Sequence, residues 1–288
     1  MVLGRVLGCY SDRVVVRVEG RELSCRLRGR LRRQALGVVA GDLVRVAAGG
    51  PVPVVEEVLP RRNLLDRPAV ANVDQVLVVF SYRDPPLDLG HVGRVLVAAE
   101  KAEVGAVMVL SKADLLAGEE RDRVRELFHP VPYPLVVTSA VTGEGLGELH
   151  PLLEGRVSVL AGQSGVGKSR LLNALRPGLG LATGEISPRI RRGRHTTRLA
   201  RLLDVNGGMV ADTPGFSRLE LGGVDPRQLA SLFPEMVALA PHCRFADCYH
   251  RAEPGCAVRE AVEEGRVAPW RHRLYLELLQ EIEEGLPW

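Results

Sequence analysis

Val157-Ser-Val-Leu-Ala161, then Gly162-Gln163-Ser164-Gly165-Val166-Gly167-Lys168-Ser169: an apolar strand runs into a glycine-rich turn, and a helical pattern opens at the lysine. That is the context a phosphate-binding loop requires. Its glycines let backbone N–H groups wrap a phosphate, and the helix N-terminus adds a favourable dipole. In such a loop Lys168 reaches the β- and γ-phosphates of a nucleotide, and the Ser169 hydroxyl holds Mg²⁺. The expected phosphate contacts run from Gly162 to Arg170. Lysine is scarce here: among 38 basic residues only Lys101, Lys112 and Lys168 are lysines, so a lysine inside a motif stands out.

Upstream of the loop, apolar strands alternate with helical stretches. We expect strand Gln75 to Phe80, helix Leu89 to Lys101, strand Ala106 to Leu110, helix Glu119 to Phe128, strand Leu135 to Thr138 and helix Leu146 to Leu153. The alternation predicts an α/β domain with a largely parallel sheet. Two further strands, Leu199 to Val205 and Met209 to Ala211, follow the loop. Three of the strand ends carry short motifs. Asp212-Thr-Pro-Gly215 is placed for a carboxylate to reach Mg²⁺ through water and for a glycine N–H to meet the γ-phosphate. Ser111-Lys112-Ala113-Asp114 ends with an aspartate that can accept from the N1–H and amino group of guanine, which adenine cannot supply, so GTP is expected over ATP. Ser139 and Ala140, after Thr138, suit a backbone N–H donor to the guanine carbonyl.

The order is unusual, because Asp114 precedes Gly162 by 48 residues. With that order, the GQSGVGKS loop and a distal Cys/His cluster, the chain resembles the RsgA (YjeQ) family of circularly permuted bacterial GTPases. The resemblance covers essentially the whole chain. It implies a circularly permuted α/β P-loop GTPase domain with an N-terminal OB-fold β-barrel and a C-terminal helical zinc-binding domain, with boundaries at 1–66, 67–220 and 221–288. It further implies GTP hydrolysis coupled to late maturation of the small (30S) ribosomal subunit.

Two departures matter for the chemistry. Where GTPases more often have asparagine, whose amide links the base to the phosphate loop, this chain has Ser111, too short to make both contacts. Guanine preference with weaker affinity is expected. Where a glutamine follows DxxG in many GTPases and orients the attacking water, this chain has Phe216. Hydrolysis must then use Mg²⁺, Lys168, backbone donors such as that of Gly215 and a polar group from elsewhere. Gly193-Arg194-His195-Thr196-Thr197 resembles the family's threonine-bearing switch. Thr197, or failing that Thr196, is expected to complete the Mg²⁺ shell, and His195 to position water or stabilise charge. An unassisted rate on the order of 10⁻⁴ to 10⁻² s⁻¹ follows by analogy, so acceleration by a partner is expected.

Cys243-x₄-Cys248-x-His250-x₅-Cys256 supplies three thiolates and one imidazole, the closed tetrahedral set of a structural zinc site, with His242 as the alternative fourth ligand. Five cysteines in a reducing compartment point to metal rather than disulfides, and Cys9 and Cys25 read as packing residues. Residues 1–66 read as five short strands separated by Gly, Asp and Pro turns, a small barrel. Twelve arginines and a single aromatic, Tyr10, suit it to RNA backbone and shape rather than base stacking. Six arginines between Arg189 and Arg201, with no acid among them, form a second candidate strip for nucleic-acid phosphates.

Charge divides unevenly, +5 over residues 1–66, +2 over 67–220 and −4 over 221–288. With 288 residues, 46% hydrophobic and 25% charged, collagen-like and mostly disordered classes are excluded. No apolar run approaches the roughly 18 to 20 residues of a membrane span. Val6-Leu7-Gly8-Cys9 imitates a lipoprotein cleavage box, but the preceding residues cannot hold a signal's apolar region. The expectation is a cytoplasmic monomer with GTP/GDP and small-subunit rRNA as partners and no membrane. Two other classes compete: a GTP-gated RNA-binding or chaperone module with negligible turnover, motivated by Phe216, and a metabolic P-loop kinase. The kinase explains neither the base motifs nor the flanks.

Overall fold

The computed structural model describes residues 1–10, 13–31, 37–66, 69–181, 200–212 and 224–285. They fall into two units: Met1–Leu77 with Leu146–Ala161 and Lys168–Phe216, and Val78–Gly145 with Gly162–Gly167 and Ser217–Trp288.

The first unit begins with β1 (Val2–Tyr10), β2 (Arg13–Val18), β3 (Arg21–Leu27), β4 (Leu43–Ala47) and β5 (Val54–Val58). Their order is β1-β2-β3-β5-β4, and β1 also pairs with β4, which closes a five-stranded barrel. Closure follows from alternation. Val6, Val14, Val16, Cys25, Val44, Val46 and Val55 are buried in one cluster, while most of their neighbours along the strands are more exposed, buried Leu7 being an exception. A register shift between Val6 and Gly8 bends β1 so that it can serve both neighbours. The parallel β3–β5 pair beside otherwise antiparallel ladders completes the expected OB-fold. Under the barrel, fully buried Asp42 accepts from Arg61 at 2.7 and 2.9 Å and from the Val39 N–H at 2.9 Å. A carboxylate there is tolerable because each oxygen has a donor.

Beyond the barrel come β6 (Leu64–Asp66) and β7 (Ala69–Ala71), a two-stranded hairpin, then β8 (Gln75–Phe80). In the same unit lie α3 (Leu146–Leu153), β11 (Val157–Ala161), α4 (Lys168–Leu175), β12 (Arg201–Val205) and β13 (Gly208–Asp212). The first unit's sheet runs β8-β11-β13-β12-β1, so the barrel's first strand continues the α/β sheet. The joint is the Gly8–Arg201 pairing, reinforced by an ion pair from Arg17 of β2 to Asp204 of β12.

The second unit holds the rest of β8, α1 (Leu89–Lys101), β9 (Gly105–Leu110), α2 (Gly118–Phe128) and β10 (Leu135–Val137), in strand order β10-β9-β8. Every residue of β8 is buried, as for a strand covered on both faces, and β9 and β10 pair in parallel. Asp88 caps α1 by accepting from the His91 N–H at 2.9 Å. This unit also contains the C-terminal helices α5 (Pro234–Val237), α6 (Ala257–Glu263) and α7 (Pro269–Glu283), around a core of Phe233, Met236, Val258, Leu274, Tyr275 and Leu278. Gly93 lets α7 lie close on α1, since a Cβ there would sit 2.2 Å from Leu274. Arg94 and Glu281 close the same seam as an ion pair. Among the described residues no helix is long and apolar enough to cross a membrane.

Candidate functional site

Buried β11 delivers the chain to Gly162, whose φ of +143° and position 2.0 Å, measured from an ideal Cβ, from the Val79 carbonyl admit no side chain. The turn then opens directly into α4 at Lys168, as the sequence predicts. Gln163 donates to the Asp88 carboxylate at 2.8 Å, so the residue that caps α1 also holds the loop's entry. Val166 is buried, Lys168 and Ser169 are partly buried, and Ser164, Gly165 and Arg170 are exposed.

The base motif meets this loop. Ser111, buried at the end of β9, donates its N–H to the Phe80 carbonyl at 2.8 Å. Its hydroxyl lies 2.6 Å from the Val166 carbonyl and 2.9 Å from that of Phe80. Serine therefore keeps the link to the phosphate loop expected of asparagine. Lys112 adopts a left-handed φ of 56° and donates to the Asp84 carbonyl at 2.6 Å, its stem passing 3.9 Å from an ideal Cβ of Gly167. Residues 111–112 and 162–167, reversed along the chain, converge in the second unit.

The Asp114 carboxylate is held from the other loop. Ser139 donates its hydroxyl to Asp114 at 2.6 Å, while the N–H groups of Val141 and Thr142 donate back to the Ser139 oxygen. Ala113 N–H binds the Thr138 carbonyl at 3.0 Å. Ser139 and Gly143 N–H groups are likewise occupied, whereas the Ala140 N–H makes no hydrogen bond among the described residues. It is the group that the sequence expectation assigns to the guanine carbonyl.

Sequence reasoning missed the clamp behind these loops. Arg121 of α2 donates to the Ala113 carbonyl at 2.7 Å and to the Glu144 carboxylate at 2.6 Å, tying both base loops to one helix. Neither residue sits in a motif, and no spacing could have flagged them. Arg121→Ala removes two charge-assisted bonds that are partly solvent-screened, so GDP should bind about three- to tenfold more weakly while thermal stability stays near wild type. Unchanged affinity in a fluorescent-nucleotide titration would remove the clamp from base recognition.

The cysteine cluster also assembles. Sγ of Cys243, Cys248 and Cys256 and a ring nitrogen of His250 lie within 4.8 Å of one another, and His242 is outside the set. Cys243 to Cys256 is 3.9 Å, Cys243 to His250 Nδ1 is 3.6 Å and His250 Nδ1 to Cys256 is 3.4 Å. A tetrahedral ion about 2.3 Å from sulfur and about 2.0 Å from nitrogen demands edges of about 3.8 Å and about 3.5 Å, so these residues could hold a metal ion. Burial pushes the Cys248 thiol up to about 12, raises Cys256 and lowers the His250 imidazole. The neutral imidazole is ready to ligate, while the thiols must release protons to do so. His272 Nε2 lies 2.8 Å from the His250 carbonyl, and Tyr275 donates to that of Tyr249 at 3.0 Å, fixing the loop on α7.

Asp212 ends β13, but its side chain is not among those described. His195, Thr196, Thr197, Gly215 and Phe216 lie outside the described residues, as do all the arginines of the basic strip except Arg201.

The model of the RsgA GTPase family matches residues 58–222. The chain is 48% identical to the small ribosomal subunit biogenesis GTPase RsgA of Moorella thermoacetica, covering 97% of each chain. It is 45% identical to the protein of the same name from Geobacillus thermodenitrificans, over 100% of this chain and 99% of that one. Among solved structures it is similar to YjeQ from Thermotoga maritima, with TM-score 0.85, 41% identity and 98% of each chain covered. It is also similar to YloQ, described as a circularly permuted GTPase, with TM-score 0.82, 32% identity and coverage of 100% and 97%.

Proposed function

The chain belongs to the RsgA GTPase family and is a GTP hydrolase, and from that premise we propose that its turnover is coupled to late maturation of the small ribosomal subunit through contacts with rRNA. The observation that carries the nucleotide reading is the Ser111 hydroxyl on the Val166 carbonyl, which joins the base and phosphate motifs into one site. The names of the full-length relatives support the partner.

In this reading Asp114 accepts from guanine N1–H and the 2-amino group, and Ala140 N–H donates to O6. The N–H groups of residues 162–169 and the Lys168 ammonium hold the phosphates, with Arg170 at the rim. Ser169 and Thr197, or Thr196, would hold Mg²⁺ with Asp212 behind it; the ion supplies charge neutralisation at the phosphates. Gly215 donates to the γ-phosphate, and His195 orients water where Phe216 cannot. The four-residue cluster takes zinc, because three thiols and an imidazole match its ligand preference. We assign residues 1–66 to an RNA-facing barrel, 67–220 to the nucleotide domain and 221–288 to the zinc module of a cytoplasmic monomer.

The test is GTP turnover alone and with purified small subunits, large subunits and free RNA. Stimulation confined to small subunits is expected. Equal stimulation by large subunits or by free RNA would overturn the assignment of partner.

A further inference from the structure

On its Watson–Crick and Hoogsteen edges guanine carries four groups a protein can read: acceptors N7 and O6, and donors at N1 and the 2-amino group. Donors in the two base loops are nearly all committed. The Ser111 N–H goes to the Phe80 carbonyl, and the single proton of its hydroxyl lies between two carbonyls, those of Val166 at 2.6 Å and Phe80 at 2.9 Å. Both neighbours are acceptors and the side chain is buried, so this proton stays with the protein. The Lys112 ammonium is turned to the carbonyl and carboxylate of Asp84, at 2.6 and 3.3 Å. The Ala113 N–H goes to Thr138, and the Ser139 hydroxyl to Asp114. What remains in reach of the base edge is the acceptor Asp114, matching N1–H and the amino group, and the Ala140 N–H, matching O6, which makes no hydrogen bond among the described residues. Residue 111, the position from which an asparagine amide would donate to N7, has no proton left for it.

We propose that this protein reads guanine through N1, the 2-amino group and O6 alone, and is indifferent to N7. Ser111 is then a positioning residue: it fastens the base loop to the phosphate loop without touching the purine. The inference rests on reading residues 111–114 and 139–140 as the guanine site. It assigns the protein a class of ligand, guanine nucleotides altered at N7, that a site with an asparagine donor at this position would discriminate against.

The experiment is calorimetric titration of the full chain with GDP, 7-deaza-GDP, IDP and ADP. GDP and 7-deaza-GDP should bind within about twofold of each other. IDP, lacking the 2-amino group, should bind roughly tenfold more weakly, as expected when a charge-assisted bond is lost. Ser111→Ala should weaken GDP and 7-deaza-GDP by the same factor, roughly two- to tenfold. Ser111→Asn should open a preference for GDP over the deaza analogue. A fivefold or larger preference for GDP in the wild-type protein, or a Ser111→Ala loss confined to GDP, overturns the proposal by placing a donor on N7. Equal binding of GDP, IDP and ADP would sink the guanine site itself, a different failure.

Discussion

Chelation should strip one zinc ion per chain and open residues 243–256 to trypsin at Arg244 and Arg251, while guanine-nucleotide binding survives. The reason is how little else holds that loop. It has no regular secondary structure between Cys243 and Cys256. Its deeply buried side chains, His250 and Cys256, both belong to the four-residue cluster that could hold the metal, and its one phenylalanine, Phe245, is 41% exposed. Burial supplies little cohesion here, whereas a zinc ion held by these residues would contribute on the order of 10 kcal/mol of apparent folding free energy at neutral pH. Glu253 adds a local brace: burial would push its carboxyl up, but N–H donors from Tyr249, Arg251 and Ala252 outweigh this and hold it low. That brace organises five residues and leaves the ends at Cys243 and Cys256 untied. Cys256→Ser should reproduce the chelator phenotype, because three strong donors close no tetrahedron, while serine still caps α6. The helices α5 and α7 should persist, since Phe233, Met236, Leu274 and Leu278 are buried together with Val97, Leu229 and Val267 in a cluster to whose buried members the loop supplies Cys256 alone. Absence of zinc by elemental analysis, with unchanged proteolysis in chelator, would defeat the assignment.

The same loop shows what a sequence can and cannot disclose. The cluster was legible because a structural metal site demands a fixed set of residue types at short spacing, and Cys243, Cys248, His250 and Cys256, which come together in the fold, lie within fourteen positions. Its supports, His272 and Tyr275, lie 22 and 26 residues from the carbonyls they hold and follow no pattern. The nucleotide site divides the same way. Asp114, Ser139 and the glycine loop were visible as motifs at strand ends; Asp84, Asp88, Arg121 and Glu144 act across tertiary contacts. Fold reading fared best where local signals agreed. Helix α1 begins at Leu89 because Asp88 caps it, and β8 and β11, apolar but for Gln75 and Ser158, are buried throughout. The β6–β7 hairpin escaped notice, its three-residue strands being too short for any period to show. Nor could the joining of barrel and α/β sheet be seen, for Gly8 and Arg201 meet across most of the chain with nothing local to announce it.

Lys168→Ala should lower GTP turnover by about 10² to 10³ and weaken GDP by roughly tenfold or more. Two independent lines lead there. The first is placement: Gly162 can only be glycine, β11 ends there, and the turn enters α4 at residue 168, so the ammonium starts from the helix N-terminus where phosphate is already favoured by N–H groups and dipole. Negative charge that builds on the transferring phosphoryl group meets a cation fixed in advance, which is why turnover should suffer more than ground-state binding. The second is composition. This protein uses arginine for 35 of its 38 cations, so wherever a positive charge suffices, arginine is what it has. A lysine kept at 168 implies that a compact point charge on a thin stem is needed, and that a planar fork does not fit the turn. Lys168→Arg should therefore fail as well, losing at least tenfold in turnover despite its retained charge. Single-turnover rates separate the cases. Arginine restoring wild-type hydrolysis would reduce the residue to a generic cation, and an alanine variant within about threefold of wild type would remove it from the chemistry.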